Sequence, residues 1–165
     1  MSHAGRTEFG APWGKALKII SASVSTLLIG VAALGLVRVE DAVGRMLMMA
    51  VPLLLLPACA LFIVRGYTLR GETLLVRRLL WSTEISLAGI QSAAHDPEAI
   101  RGSIRLFGNG GLFSFTGIFR NKRLGIYRAY VNDLKRVVVL KLRDRTVVIS
   151  PEDPEEFVRA VRQQF

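Results

Sequence analysis

The chain is poor in the residues that build covalent and metal-centred chemistry. Among its 165 residues there is one cysteine, Cys59, and there are two histidines, His3 and His95. A lone cysteine excludes a disulfide within the chain. One cysteine and two distant histidines also fall short of the three or four ligands that a zinc or non-haem iron site typically takes. No Gly-x-Ser-x-Gly elbow is present to expose a serine nucleophile, and no glycine-rich loop runs into Lys-Ser/Thr. His95-Asp96 is the one His/acid neighbour pair, and Asp96 standing before Pro97 reads as a helix cap. The expectation is a protein without catalysis and without a cofactor.

Charge is missing from two long stretches. Residues 19–37 (IISASVSTLLIGVAALGLV) and 46–64 (MLMMAVPLLLLPACALFIV) contain no Asp, Glu, Lys or Arg. At about 1.5 Å per residue each reaches close to the ~30 Å of bilayer hydrocarbon. A helix of a soluble domain rarely runs that far without a polar face. The pair is therefore read as a transmembrane hairpin. The connector RVEDAVGR is short enough to force the helices antiparallel and to put both chain ends on one side. Arg6, Lys15 and Lys18 before the hairpin and Arg65, Arg70, Arg77 and Arg78 after it outweigh Arg38 and Arg45, which Glu40 and Asp41 offset. By the positive-inside rule the ends belong in the cytoplasm, at the cell inner membrane. A signal sequence cleaved near Val31-Ala32-Ala33 is the alternative for the first stretch, and it leaves the C-terminal part on the same side.

Within the stretches, Ala22, Thr26 and Gly30 recur at i+4 as a small-residue stripe of the kind that lets helices approach. Pro52 and Pro57 each remove a backbone hydrogen bond from the second helix. Cys59 is the only ionisable side chain in either stretch, which argues against an ion or proton pathway. The implied organisation is a cytoplasmic segment at 1–18, the hairpin at 19–64 and a soluble domain at 65–165.

From residue 65 onward lie 17 of the 22 Lys and Arg but 10 of the 13 Asp and Glu, so most of the formal charge of +9 sits in the soluble part. Such a surface is attracted to an anionic leaflet, and positive-inside selection alone also produces it. The sequence there reads mainly as short strands: 67–70, a turn at Gly71-Glu72, then 73–80 and 83–87. Residues 90–101 read as a loop with one helical turn after Asp96. Strands bracketed by glycines follow at 112–119 and 125–131, and a hairpin at 136–142 and 146–149 turns through Arg143-Asp144-Arg145. Ser150-Pro151-Glu152-Asp153-Pro154-Glu155-Glu156 carries helix-start chemistry. Phe157, Val158, Val161 and Phe165 then repeat at helical spacing. Short strands with frequent glycine turns and one terminal helix point to a barrel covered at its open end.

Three segments bring a family into view: RLFGNGGLFSFTGIF at 105–119, LGIYRAYVND at 124–133 and VVISPEDPEEFVRAV at 147–161. The first is a glycine-rich turn into a strand ending Gly-x-Phe, and the last joins strand to helix through Ser-Pro-x-x-Pro-x-x-Phe. Together they resemble the small bacterial pleckstrin-homology-like (PH-like) domains that follow membrane helices. The resemblance implies a mainly-β, strongly bent barrel of about seven strands capped by one C-terminal α-helix. It also implies a binding or scaffolding role, with no particular ligand, because fold does not fix function.

Arg120-Asn121-Lys122-Arg123, with Arg128 close behind, is the densest basic run and the candidate binding site. Arginine offers two-pronged contacts to oxygen anions and lysine a point charge. The plain alternative is a solvated hairpin tip. Gly108-Asn109-Gly110-Gly111 reads as a tight turn and not a phosphate cradle, since a strand follows it. The leading expectation is a membrane-anchored interaction module that presents an edge or loop to a protein partner. The alternatives are anionic-lipid binding through Arg120, Lys122, Arg123 and Arg128, and an auxiliary subunit of a larger membrane complex. Nucleic acid is not an expected partner: aromatics in a small barrel mostly fill its core, and a membrane tether is a poor place from which to read DNA.

Overall fold

A computed structural model describes residues 7–164; His3, Arg6 and Phe165 lie outside the described residues. Two long helices leave the domain together. α1 (Lys15–Arg38) and α2 (Ala42–Leu61) are both long and apolar enough to cross a membrane. Relative to the apolar runs, α1 begins four residues earlier, at Lys15, and α2 is displaced toward the N-terminus. The displacement has a local cause, because the Asp41 carboxylate accepts a hydrogen bond from Gly44 N at 2.6 Å and caps α2.

Few positions on the helices are buried: Leu17, Ser21 and Gly35 on α1 and Pro52 on α2. A side chain at Gly35 would meet Met48 Cβ at 2.7 Å, so the close approach of the helices is there. Gly30, in the expected small-residue stripe, faces open space instead. Most remaining apolar side chains point outward: Leu27 is 67% exposed and Leu53 71%. Core helices of a soluble domain bury such residues.

The strand-rich part holds two sheets. In the first, β1 (Glu8–Gly10), β2 (Gly66–Arg70), β3 (Thr73–Arg77) and β4 (Ser82–Ser86) pair antiparallel in chain order. The second comprises β5 (Ile90–His95), β6 (Ile104–Gly110), β7 (Phe115–Asn121), β8 (Gly125–Val131), β9 (Val138–Leu142) and β10 (Thr146–Ile149). Its order is β5-β9-β10-β8-β7-β6, and only β10 and β8 run parallel. α3 (Pro154–Gln164) closes the structure, with Phe157, Val158, Ala160 and Val161 buried in the main core.

The mainly-β, helix-capped fold is as expected, with ten strands where about seven were read. Two differences account for most of the excess. β1 lies in the segment before the hairpin and pairs with β2, Phe9 opposite Tyr67. Phe9 is fully buried and meets Phe157 edge-on at 5.0 Å. β5 occupies residues read as loop. Its sequence IQSAAH has weak strand propensity, and pairing with β9 (Ala93 opposite Leu140, Ala94 opposite Val139) overrides it. The helical turn after Asp96 is present as a 3-10 turn at Pro97–Ile100, with Ala99 N donating to Asp96 Oδ1 at 3.1 Å.

Asn132 joins these parts. Its Nδ2 donates to Ala11 O at 2.9 Å and to Val64 O at 2.7 Å, on the segments leading into α1 and out of α2. Its own carbonyl accepts from Gly14 N at 3.0 Å, and its N–H is held by Ser150 Oγ. Asn132→Ala orphans two buried carbonyls, at on the order of 1–3 kcal/mol each. The expected outcome is a lower thermal midpoint for the β-domain of the detergent-solubilised chain, followed by near-ultraviolet circular dichroism.

Nearby, the Tyr67 hydroxyl donates to Tyr130 O at 2.6 Å and accepts from Ser150 N at 3.1 Å. Burial pushes this phenol up to about 12 from 10.0. The unfolded chain therefore ionises first. The contribution is intact below pH 10 and is lost as pH rises through about 12. Tyr67→Phe is expected to lower stability at neutral pH and to flatten that alkaline decline, as read from denaturation curves across the range.

Candidate functional site

The basic run does not converge on one point. Arg120 lies on β7 opposite Ile126, and Arg128 lies on β8 opposite Ile118, so the two share a face of the sheet. Lys122 sits exposed in the β7–β8 turn. Arg123 is tied away toward the 3-10 turn, with Nη2 at 2.6 Å from Asp96 Oδ2. Asn121 organises the turn by accepting from Arg123 N at 3.0 Å and Leu124 N at 2.7 Å. Arg123 thus has a structural partner, and Arg128 faces a different environment.

That environment is a cavity of about 630 Å³ between the last turns of α2 and the β6–β7–β8 face. Leu55, Ala58, Cys59 and Phe62 form its helical wall, while Phe107 and Ile118 are among the apolar side chains of its sheet wall. Two arginines reach it from separate elements, Arg78 after β3 and Arg128 on β8. Arg105 on β6 touches the rim, but its guanidinium lies beside Gly110, on the Phe119 face of the sheet. No Asp or Glu lines it.

Arg78 is the most buried of the three, at 8% exposure. Its Nε donates to Thr83 Oγ1 at 3.1 Å and its Nη1 to Phe62 O at 2.9 Å, at the C-terminal end of α2. The guanidinium lies over the rings of Phe62, Trp81 and Tyr130 at 5.4, 5.8 and 5.3 Å. Burial pulls its pKa down from the usual arginine range, and the nearby Tyr130 and Tyr67 phenols oppose that fall. The group remains a cation at any physiological pH. Arg78 could have been found from the sequence: in LLVRRLLW it follows Leu74 and Val76 at strand period, placing a charge in the inward register.

The floor of the cavity depends on glycine. β6 and β7 cross at Gly108 opposite Gly117, both at positive φ (105° and 144°), and a Cβ on either would strike the backbone of the other strand. The hairpin tip then turns at Gly111, where Asn109 Oδ1 accepts from Leu112 N at 3.0 Å. That tip is pinned to α1, since Ser21 Oγ donates to Gly111 O at 3.1 Å and accepts from Phe113 N at 2.9 Å. The run read as a tight turn is thus mostly strand: Gly108, Asn109 and Gly110 end β6, and only Gly111 lies in the turn, which is seated on α1.

A second feature lies at the sheet margin. β6 is an edge strand, paired with β7 alone. Ile104, Leu106 and Phe107 on it are 69%, 53% and 75% exposed. Seven-residue edge strands carrying exposed apolar side chains are normally covered or blunted by charge.

Gly117→Ala is expected to separate β6 from β7 and to lower the unfolding midpoint, at a cost of about 1–3 kcal/mol for the backbone strain alone. Gly125→Ala, at φ 67° with open space around the added Cβ, is the milder comparison in the same denaturation assay.

Comparison with protein families matches residues 65–165 to the bacterial PH domain model. Comparisons with curated proteins and with solved structures each returned no match. The matched span takes in β2 to β10 and α3, the two sheets and closing helix just described, and it covers more than half of the sequence. The chain belongs to the bacterial PH domain family.

Proposed function

We propose that this protein is a membrane-anchored, non-enzymatic interaction module that offers the free edge of β6 to a protein partner at the cytoplasmic face. PH domains are generally non-catalytic interaction modules, which sets the class. The observation that carries the choice of surface is β6 itself. Its backbone groups on the side away from β7 have no strand to pair with, and its exposed Ile104 and Leu106 give an added strand apolar side chains to pack on. Strand addition draws affinity from main-chain hydrogen bonds and selectivity from such side chains.

The anchoring half of the proposal rests on the outward-facing apolar surface of α1 and α2. It is supported by β1, which requires the chain to leave and return to the same side. Cleavage of a signal sequence near Ala33 would remove Phe9 from the core, so the uncleaved hairpin is the consistent choice. The excess of Lys and Arg beside the domain supports a cytoplasmic location.

Two measurements test this. In a Cys59→Ala background, single cysteines at Asp41 and at Lys122 are expected to react with a membrane-impermeant thiol reagent from opposite sides of the membrane. Equal reactivity from one side would contradict the anchor. Photocrosslinking from Leu106 in native membranes is expected to trap one discrete protein, lost when Ile104 and Leu106 are both changed to lysine. Crosslinks that persist in that variant, or none at all, would remove β6 as the contact.

A further inference from the structure

We infer that the cavity between α2 and the β6–β7–β8 face binds one anionic glycerophospholipid, with its phosphate between Arg78 and Arg128 and its acyl chains along the last turns of α2. This rests on the membrane-anchored reading above, and it is independent of the β6 partner.

The first argument is charge. A guanidinium buried as deeply as Arg78 normally has a carboxylate beside it, because an uncompensated buried ion is strongly disfavoured. Among the described residues Arg78 has no ion pair, and its neutral partners occupy Nε and Nη1. Nη2 has no hydrogen-bond acceptor among the described residues, and Arg78 lines the cavity. Arg128 brings a second cation to the same space, and it has no ion pair among the described residues. Two cations and no acid around one cavity form a receptor for an oxygen anion, which arginine meets with paired N–H groups.

The second argument is shape and place. Leu55 lies seven residues before Phe62, so the helical wall climbs about 10 Å along α2 from the level of the Arg78 contact. On the membrane-anchored reading, the upper wall lies against acyl chains and the lower end opens on the headgroup layer. A free phosphate would use the arginines and leave the apolar wall wet. A neutral lipid would fill the wall and leave the arginines unpaired. An anionic diacyl lipid satisfies both. The basic turn at Lys122 and Arg123 is not part of this cavity, which distinguishes the site from general surface attraction.

The test uses the full chain reconstituted in lipid discs containing a mixture of phosphatidylcholine and phosphatidylglycerol, with retained lipid read by native mass spectrometry. The expected result is preferential retention of a single phosphatidylglycerol. In Arg128→Gln that preference should fall about ten-fold. Arg128 is exposed, so the variant is expected to keep the wild-type unfolding midpoint, measured alongside. Arg120→Gln/Lys122→Gln should leave retention unchanged. Equal retention of the two lipids would overturn the site, as would an equal loss in the Arg120/Lys122 variant. Stabilisation of the detergent-solubilised chain by inorganic phosphate, with no effect of phosphatidylglycerol, would overturn the lipid as the source of the anion. Insertion into discs of phosphatidylcholine alone reads the anchor separately. A chain that inserts but shows no lipid preference refutes the cavity ligand and leaves the hairpin standing, whereas failure to insert refutes both.

Discussion

The carboxamide of Asn132 is the constraint on which the rest of the architecture hangs. A domain interrupted by a 46-residue apolar excursion, counted over positions 19–64, must hold both ends of that excursion at fixed positions on its own surface. The two Nδ2 hydrogens do so by meeting Ala11 O and Val64 O, one on each side of the hairpin. Only a primary amide presents two donors from one nitrogen on so short a stem without bringing a charge. A carboxylate here would face two carbonyls, and a lysine or arginine would bury an ion. Ser150 fixes Asn132 in turn, its hydroxyl accepting from Asn132 N and Asp133 N. Tyr67 then links Ser150 N to Tyr130 O. The strand before α1, the strand after α2 and the joint between β10 and α3 thus meet in one buried polar network.

That network makes the helical hairpin an extension of the sheets. α2 ends at a carbonyl, Phe62 O, that accepts from the Arg78 guanidinium and from Ser114 Oγ. A cation at this position opposes the negative end of the helix and satisfies a terminal acceptor at once. α1 is held further along by Ser21, whose hydroxyl both donates to and accepts from the β6–β7 tip. Phe113 reaches that contact from a left-handed backbone conformation (φ 67°), a strain that the bond to Ser21 and the neighbouring Trp13 ring help to offset. Each helix is therefore braced twice, once near Asn132 and once against the second sheet. The cavity is the space left between those braces.

Local pattern carried much of this fold. The hairpin of β9 and β10 through residues 143–145, the turn at Gly71-Glu72 and the helix opened by Pro154 are all consequences of short-range chemistry, and they were legible as such. What the sequence concealed depends on distant partners. Ile90–His95 becomes a strand because β9 lies beside it, and Glu8–Gly10 because β2 returns to meet it. Nothing within either segment announces that pairing. The site was hidden for the same reason. Arg120, Lys122 and Arg123 are adjacent in sequence and invite grouping, yet Asp96 draws Arg123 aside. Arg78 and Arg128 are far apart in sequence and meet only where the strands flank the end of α2.

The basic composition thereby divides into unlike parts. Most of its arginines and lysines are exposed, as positive-inside selection or leaflet attraction would leave them. Screening makes each of these worth little and makes them interchangeable. Arg78 is of another kind, because it is desolvated, stacked on three aromatic rings and committed to the end of α2. A lysine could neither bridge Thr83 and Phe62 in that plane nor stack on those rings. Arg128 stands between the two kinds: exposed, yet lining a cavity that has no acid in its wall. Total charge is blind to this division. It follows from which cations the fold has desolvated and from what it has left them to face.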